Sequence, residues 1–191
     1  VHLSHLGTAA AVALVTQAAK SGLPVSASTP ARNLILDEEV LDGFGYESRY
    51  RLHPPLRSRR DREALVEAVI GGQLWLCADH QPRAPEEKEH ELERATPGST
   101  GLESAFAAAW TALRPHLPTD VALSVLVQAL SLGPRRLLPP GREGSGWTLV
   151  DLEAEQEVQP SRHRSMARND ALAGRGLRGQ VRGCWPQAAL D

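Results

Sequence analysis

Only two cysteines, Cys77 and Cys184, occur in the 191 residues, and neither sits in a CxxC pair. That excludes a zinc-ribbon or thioredoxin-like motif. Cys77 lies inside an apolar run and reads as a small buried hydrophobe, a usage that fits a reducing, cytoplasmic setting. Charge of one sign is also lacking. The formal net charge is -2, so composition offers no electrostatic case for nucleic acid or for a membrane surface. No apolar run approaches the roughly 18 residues of a membrane span, and Val1-His2-Leu3-Ser4 has none of the pattern of a signal peptide. Internal repeats are absent. What remains is an ordinary globular composition, 41% hydrophobic and 23% charged. The length suits one domain with a real core, but falls short of the roughly 250 residues of a complete (β/α)₈ barrel. The opening residues read as the end of a strand, which predicts a chain that continues a longer one.

Along the chain, residues 8–20 read as a helix rich in alanine and stopped by Ser21-Gly22. Residues 24–28 read as a short strand closing at Thr29-Pro30. A strand, helix, strand order with a short return suits a parallel sheet. Residues 31–58 form a long irregular stretch, of the kind that is functional or disordered in compact domains. Ser58 opens a second helix, in which Ala64, Leu65, Ala68 and Val69 recur at helical spacing. Gly71-Gly72 ends it, and residues 73–78 read as a buried strand with Asp79-His80 at its C-terminal end. In parallel α/β folds that end carries the chemistry. Residues 82–97, with six glutamate or lysine positions between 86 and 93, read as a solvated lid or surface loop. Helices are expected at about 101–115 and 119–131, the second capped by Thr119-Asp120. Short β segments follow in WTLVDLE (147–153) and LRGQVRGCW (177–185).

Five elements stand in fixed order: HLS at 2–4 opening a helix, Thr29-Pro30 closing the next strand, HPPLR at 53–57, DHQPRAPEEK at 79–88, and PGSTGLE at 97–103. Together they resemble the second half of dihydroorotases of the bacterial long-chain type, over nearly the whole chain. The resemblance implies an α/β fold: a partial TIM (β/α)₈ barrel of the metal-dependent amidohydrolase type, strands six to eight, over residues 1–140, with a remnant of the composite β-sandwich over 141–191. It also implies a zinc site, in which metal polarises a cyclic amide and supplies hydroxide at neutral pH. Asp79 matches the aspartate that accepts a proton from metal-bound water and passes it to the leaving nitrogen. His2 matches the last metal-ligating histidine. Positions 53, 83, 97 and 98 match substrate contacts.

Four departures cluster on elements facing that site. Arg83 stands where the DHAPH pattern has histidine, and His53 where NPPLR has asparagine. Ala31 and Arg32 replace both histidines of TPHH, and His5 replaces a threonine. The remaining scaffold residues persist: Pro54, Pro55, Leu56, Arg57, Gly98, Gly101 and Glu103. Catalytic zinc needs three protein ligands and an open position, and one His with one Asp does not supply them. Arginine is bulkier than histidine and never a base. The expectation is therefore a non-catalytic dihydroorotase homologue that binds no zinc and acts as a structural partner of aspartate carbamoyltransferase. The alternatives are a zinc-dependent dihydroorotase whose N-terminal half lies outside this chain, and a cyclic amidohydrolase using Arg83 or His53 on another ring. A three-strand parallel sheet has two raw edges, so a missing N-terminal half or another subunit is expected to cover them. His80 reads as packed rather than functional; His5, His90, His116 and His163 read as surface or loop histidines, and the Arg162, Arg164, Arg168 group as a solvated face.

Overall fold

A computed structural model of the chain describes residues 1–43, 46–139 and 146–186. Three short strands, β1 (His2–Leu3), β2 (Ser26–Pro30) and β3 (Trp75–Cys77), form a parallel sheet in the order β1-β2-β3. His2 pairs with Ser26, and Ser28, Thr29 and Pro30 pair with Trp75, Leu76 and Cys77. Parallel neighbours in sequence order need a crossover each. Helix α1 (Ala9–Lys20) supplies the first; α2 (Glu39–Gly43) and α3 (Arg59–Ile70) lie in the second. All three strands therefore end on one side, where His5, Arg32 and Asp79 follow them.

The helix starts obey capping chemistry rather than the apolar period alone. Thr8 is the cap of α1 and not its first residue: its Oγ1 accepts from the Ala11 N–H at 3.1 Å. Ser58 caps α3 in the same way, accepting from the Asp61 N–H at 3.2 Å. Asp61 then serves two helix starts, because its Oδ1 also accepts from the Ala9 N–H of α1 at 2.8 Å. Hydrogen bonds from Ser58 and Ala9 hold its carboxyl below the usual carboxylate range.

Several boundaries move from their expected places. The strand expected at 24–28 lies at Ser26–Pro30, so Thr29-Pro30 belongs to it. The irregular stretch 31–58 holds a 3₁₀ turn at Ala31–Leu34, α2, and a second 3₁₀ turn at Ser48–Tyr50. Within residues 82–97 lies a one-turn helix, α4 (Pro85–Lys88), with the Glu87 carboxylate accepting from the Ala84 N–H at 2.9 Å. The helix expected at 101–115 is α5 (Ala105–Leu113), followed by a 3₁₀ turn at Arg114–His116. Its start is delayed because Gly101 presses against the end of β3: a Cβ there would lie 2.4 Å from the Ala78 carbonyl oxygen. Helix α6 (Thr119–Val127) begins after Pro118 without a side-chain cap, against the expected Thr119-Asp120 cap, and widens into a π turn over Gln128–Leu132. A short α7 (Gly133–Arg135) follows.

The two expected β segments form an antiparallel hairpin, β4 (Gly146–Glu157) with β5 (Gly176–Pro186). It packs on α5 through Trp110, which is fully buried and donates its indole N–H to the Leu152 carbonyl at 2.9 Å. Val158, Leu172 and Leu177 join the same continuous core as Leu34, Leu65 and Leu113. The expected division at 140/141 falls outside the described residues. Among the described residues, no helix is long and apolar enough to cross a membrane.

Candidate functional site

The C-terminal ends of β1, β2 and β3 bring three polar side chains into contact. Asp79 follows β3 with a left-handed backbone, φ 44°, a conformation that aspartate tolerates better than bulkier residues. Its side chain is 3% exposed. The Arg32 guanidinium, buried beside it, forms an ion pair with Oδ2 and donates through Nη1 to the Asp79 carbonyl at 3.0 Å and the Ala78 carbonyl at 3.3 Å. Oδ1 accepts from the Gln81 amide at 2.6 Å and lies 3.3 Å from Nε2 of His5. Every carboxylate oxygen of Asp79 thus has a partner from its own chain.

His5 lies in a loop, as the surface or loop reading has it, but it also reaches the candidate site. It too has a left-handed backbone, φ 61°, and it is the histidine that reaches Asp79. The turn carrying it is fixed to β2, since the Leu6 N–H donates to the Ser28 carbonyl at 2.9 Å and the Thr29 hydroxyl to the Leu6 carbonyl at 2.8 Å. His2, by contrast, is engaged on both ring nitrogens: Nδ1 with the Ser26 hydroxyl at 2.9 Å and Nε2 with the Ser28 hydroxyl at 3.1 Å. Its ring stacks on Trp75 with centroids 5.4 Å apart. Burial, the N-terminal ammonium and His5 all hold its pKa below the ordinary value. Among the described residues no hydrogen bond or ion pair joins His2 to Asp79.

The residues at the substrate positions have closed on one another. Arg83 donates from Nε to the Pro97 carbonyl at 2.8 Å, and its Nη1 lies 3.6 Å from Glu87. Gly98, at φ 137°, leaves room for this: a Cβ there would stand 3.0 Å from Arg83 Nε. His53 is exposed, and among the described residues nothing bonds it to His2, Arg32 or Asp79. His80 is packed as expected, with Nδ1 accepting from the Gly101 and Leu102 N–H groups at 3.2 and 3.4 Å.

Three residues were not legible as site elements. Lys88 sits in a run read as solvated, yet it is buried, and its ammonium donates to the carbonyls of Arg51, Thr96 and Gly98 at 3.1–3.3 Å. Burial, with Arg83 and Arg51 nearby, lowers its pKa to about 8. Asn169 reaches across from the C-terminal segment: Nδ2 donates to Gln81 and Gly98 carbonyls, and Oδ1 accepts from the Arg83 N–H. Asp170 is buried, accepts from the Ser104 hydroxyl and the Leu172 N–H, and has its pKa raised by desolvation. His163, in the loop after the 3₁₀ turn at Pro160–Arg162, lies 3.9 Å from Asp170 with a side chain only 12% exposed, so of the surface or loop placing expected for it the loop one holds. The lone signal for these was APEEK as a motif; Asn169 and Asp170 sit in no pattern.

No family model matches the chain. It is 35% identical over 198 residues to a dihydroorotase of Halalkalibacterium halodurans, covering 99% of this chain and 44% of the relative. A dihydroorotase of Thermus aquaticus is 38% identical over 196 residues, covering 100% of this chain and 44% of the relative. The chain is a homologue of the C-terminal part of dihydroorotases. It spans less than half the length of the curated dihydroorotases it matches. Solved structures agree at the level of the α/β fold. An L-hydantoinase (dihydropyrimidinase) from Arthrobacter aurescens superposes with a TM-score of 0.81 at 23% identity, over 95% of this chain and 43% of that one. The dihydroorotase of Saccharomyces cerevisiae superposes with a TM-score of 0.75 at 18% identity, over 95% of this chain and 50% of that one.

Zinc, which dihydroorotase resemblance implies, does not fit the donor set of these residues. Among the described residues no group of three or more His, Cys, Asp and Glu side chains could hold a metal ion. A metal-ligating histidine normally gives one nitrogen to the metal and donates the other to a support, whereas His2 has both on serines. A guanidinium occupies the partner position of Asp79.

Proposed function

We propose that this chain is the C-terminal part of a dihydroorotase-like protein of pyrimidine biosynthesis that is non-catalytic, zinc-free and cytoplasmic, and that serves as a structural partner of aspartate carbamoyltransferase. The reading takes the β1-β2-β3 sheet as strands six to eight of an amidohydrolase barrel over residues 1–140, and the β4-β5 hairpin as the sandwich remnant over 141–191. The raw sheet edges are then covered by the missing N-terminal half or by another subunit.

The single observation that carries it is the Arg32–Asp79 pair. A general base must hold a lone pair free within hydrogen-bond reach of the proton it removes. Here both carboxylate oxygens are engaged by Arg32, Gln81 and His5 inside the protein. Freeing them breaks a buried ion pair, which costs about 3–5 kcal/mol when one partner is left alone. Arginine stays protonated at every relevant pH and does not yield the way a histidine would. A second reading, a zinc-dependent dihydroorotase hydrolysing dihydroorotate to carbamoyl aspartate, keeps one observation in its favour: Asp79 persists at the strand end in a strained backbone conformation, as catalytic residues often do.

The test is made on the longest natural form of the protein. Zinc content by mass spectrometry and dihydroorotate hydrolysis are measured with and without aspartate carbamoyltransferase. Less than a tenth of an equivalent of zinc, no turnover and a complex stable on gel filtration are expected (the threshold marks clear sub-stoichiometry of a site normally filled tightly). Stoichiometric zinc with turnover would overturn the non-catalytic reading, and failure to form the complex would overturn the partnership.

A further inference from the structure

The segment between β4 and β5, residues 158–175, is fastened to residues 99–104 ahead of α5. Thr100 and Asp170 form a parallel bridge, in which the Thr100 N–H donates to the Asn169 carbonyl at 3.2 Å. The Ala171 N–H donates to the Ser99 hydroxyl at 2.9 Å. Inside this contact sits Asp170, 1% exposed, with its carboxylate accepting from the Ser104 hydroxyl at 2.9 Å and the Leu172 N–H at 2.8 Å. A carboxylate buried this deeply calls for a countercharge, and desolvation pushes its pKa up. Among the described residues, most cations near it are committed elsewhere. Arg32 lies within electrostatic reach of Asp170, but its guanidinium is paired with Asp79. Arg168 donates to the carbonyls of Pro160, His163 and Ser165 in its own loop. His80 uses Nδ1 to accept from the Gly101 and Leu102 N–H groups. His163 is different. Its Nδ1 is buried, makes no hydrogen bond among the described residues, and stands 3.9 Å from Oδ2 of Asp170. A second carboxylate, Glu103, which accepts from the Ser165 N–H at 2.9 Å, is also within electrostatic reach of that ring.

We propose that His163 and Asp170 form a proton-operated latch: when the His163 ring takes up a proton, its Nδ1–H closes the 3.9 Å gap onto Asp170 and fastens segment 158–175 to residues 99–104. A charge-assisted N–H···O bond spans roughly 2.7–2.9 Å, so closing needs a loop shift of about 1 Å and no unfolding. The imidazolium offsets the cost of the buried carboxylate, which a neutral ring does not. The sign follows from where the pair exists. The fold holds imidazolium against Asp170 and the unfolded chain does not, so the added stability is present below the ordinary imidazole range, about pH 6.5, and is lost as the ring gives up its proton at higher pH. The raised pKa of Asp170 acts in the same direction. The latch also reaches the strand ends. Asn169, next to Asp170, donates from Nδ2 to the Gln81 carbonyl at 3.1 Å, and the Gln81 amide in turn holds Asp79. Weakly acid pH therefore braces the strand-end cluster from the C-terminal segment, whatever chemistry that cluster performs.

Amide hydrogen exchange followed by mass spectrometry, on the longest natural form of the protein, tests the latch. The reporters are peptides covering 97–104 and 158–175, whose Thr100, Ala171 and Leu172 N–H bonds cross or flank the contact. Peptides from α3 serve as the internal reference, and rates are corrected for the intrinsic pH dependence of exchange. Protection of the reporters at about pH 5.5 is expected to exceed that at about pH 7.5 by roughly five-fold or more, the effect of one charge-assisted hydrogen bond, while α3 stays constant. His163→Gln is expected to remove the difference. Should that variant not fold, Asp170→Asn, which keeps a side chain of the same size beside Ser104 and Leu172, is expected to do the same. Equal protection at the two pH values in the unaltered protein, a difference that survives either substitution, or an equal change in α3 each overturns the assignment.

Discussion

Two charged regions lie within a few residues of each other in sequence, and they resolve their charge in opposite ways. At the strand ends, Asp79 and Arg32 neutralise one another, both under 5% exposed on the side chain, with Gln81 and His5 finishing the carboxylate. In the α4 segment, Lys88 donates to three backbone carbonyls and Arg83 to one, with Glu87 3.6 Å from Arg83, so charge there is met by dipoles and a looser ion pair. The first arrangement is closed: its partners come from three different strand ends, so filling it fixed the sheet as well. The second is open, its cations oriented by carbonyls.

The largest expected effect comes from breaking the closed region. Arg32→Ala leaves Asp79 buried and unpaired, and is expected to cost about 3–5 kcal/mol in urea unfolding. Arg32→Met with Asp79→Leu should recover much of that loss, since a matched apolar pair carries no unpaired charge; additive losses would mean the two side chains act independently. Next, Gly101→Ala drives a methyl to 2.4 Å from the Ala78 carbonyl oxygen and 3.6 Å from Arg32. It is expected to cost about 1–3 kcal/mol, visible as a lower thermal midpoint.

The third prediction turns to the open region and to pH. The Lys88 pKa is about 8 in the fold against an ordinary value of 10.5. Between those values the unfolded chain holds the proton and the fold does not, so stability rises with pH across that window and the burial penalty is fully felt below it. Lys88→Met is expected to flatten the rise, measured as unfolding midpoints at pH 7.5 and 10 (a window set by the ordinary and shifted pKa). A rise that survives the substitution would assign it to another group. The smallest effect sharpens the comparison by being nil: EDTA should leave the thermal midpoint unchanged, because the Arg32 guanidinium already balances the charge of Asp79. A drop of several degrees would show that a metal contributes binding energy to the fold.

Much of the scaffold was legible from residues alone. The helices at Ala9–Lys20 and Arg59–Ile70 were legible from alanine content and apolar spacing, though not the capping roles of Thr8 and Ser58, and the parallel sheet followed from strand, helix, strand spacing. Boundaries shifted where contacts distant in sequence intervene, as when Gly101 meets Ala78 and delays α5. Asp79 was readable because a strand end followed by an aspartate is a local pattern. The role of Arg32 was not: its partner lies 47 positions away, and sequence shows only that two histidines are missing. Lys88 misled for the complementary reason. A charged run predicts solvent, and what buries Lys88 is a set of carbonyls from residues 51, 96 and 98 that carry no side-chain signal.

The contact between Trp110 and the hairpin reaches beyond this one molecule. Gly179 holds φ 89°, and a Cβ on it would stand 2.7 Å from the Trp110 ring, whose N–H is spent on Leu152 of the facing strand. Neither position is free to drift without the other. Over evolutionary time a larger residue at 179 demands a smaller one at 110, so among related chains these two sites should vary as a pair, and a swapped hairpin should graft only with its own tryptophan.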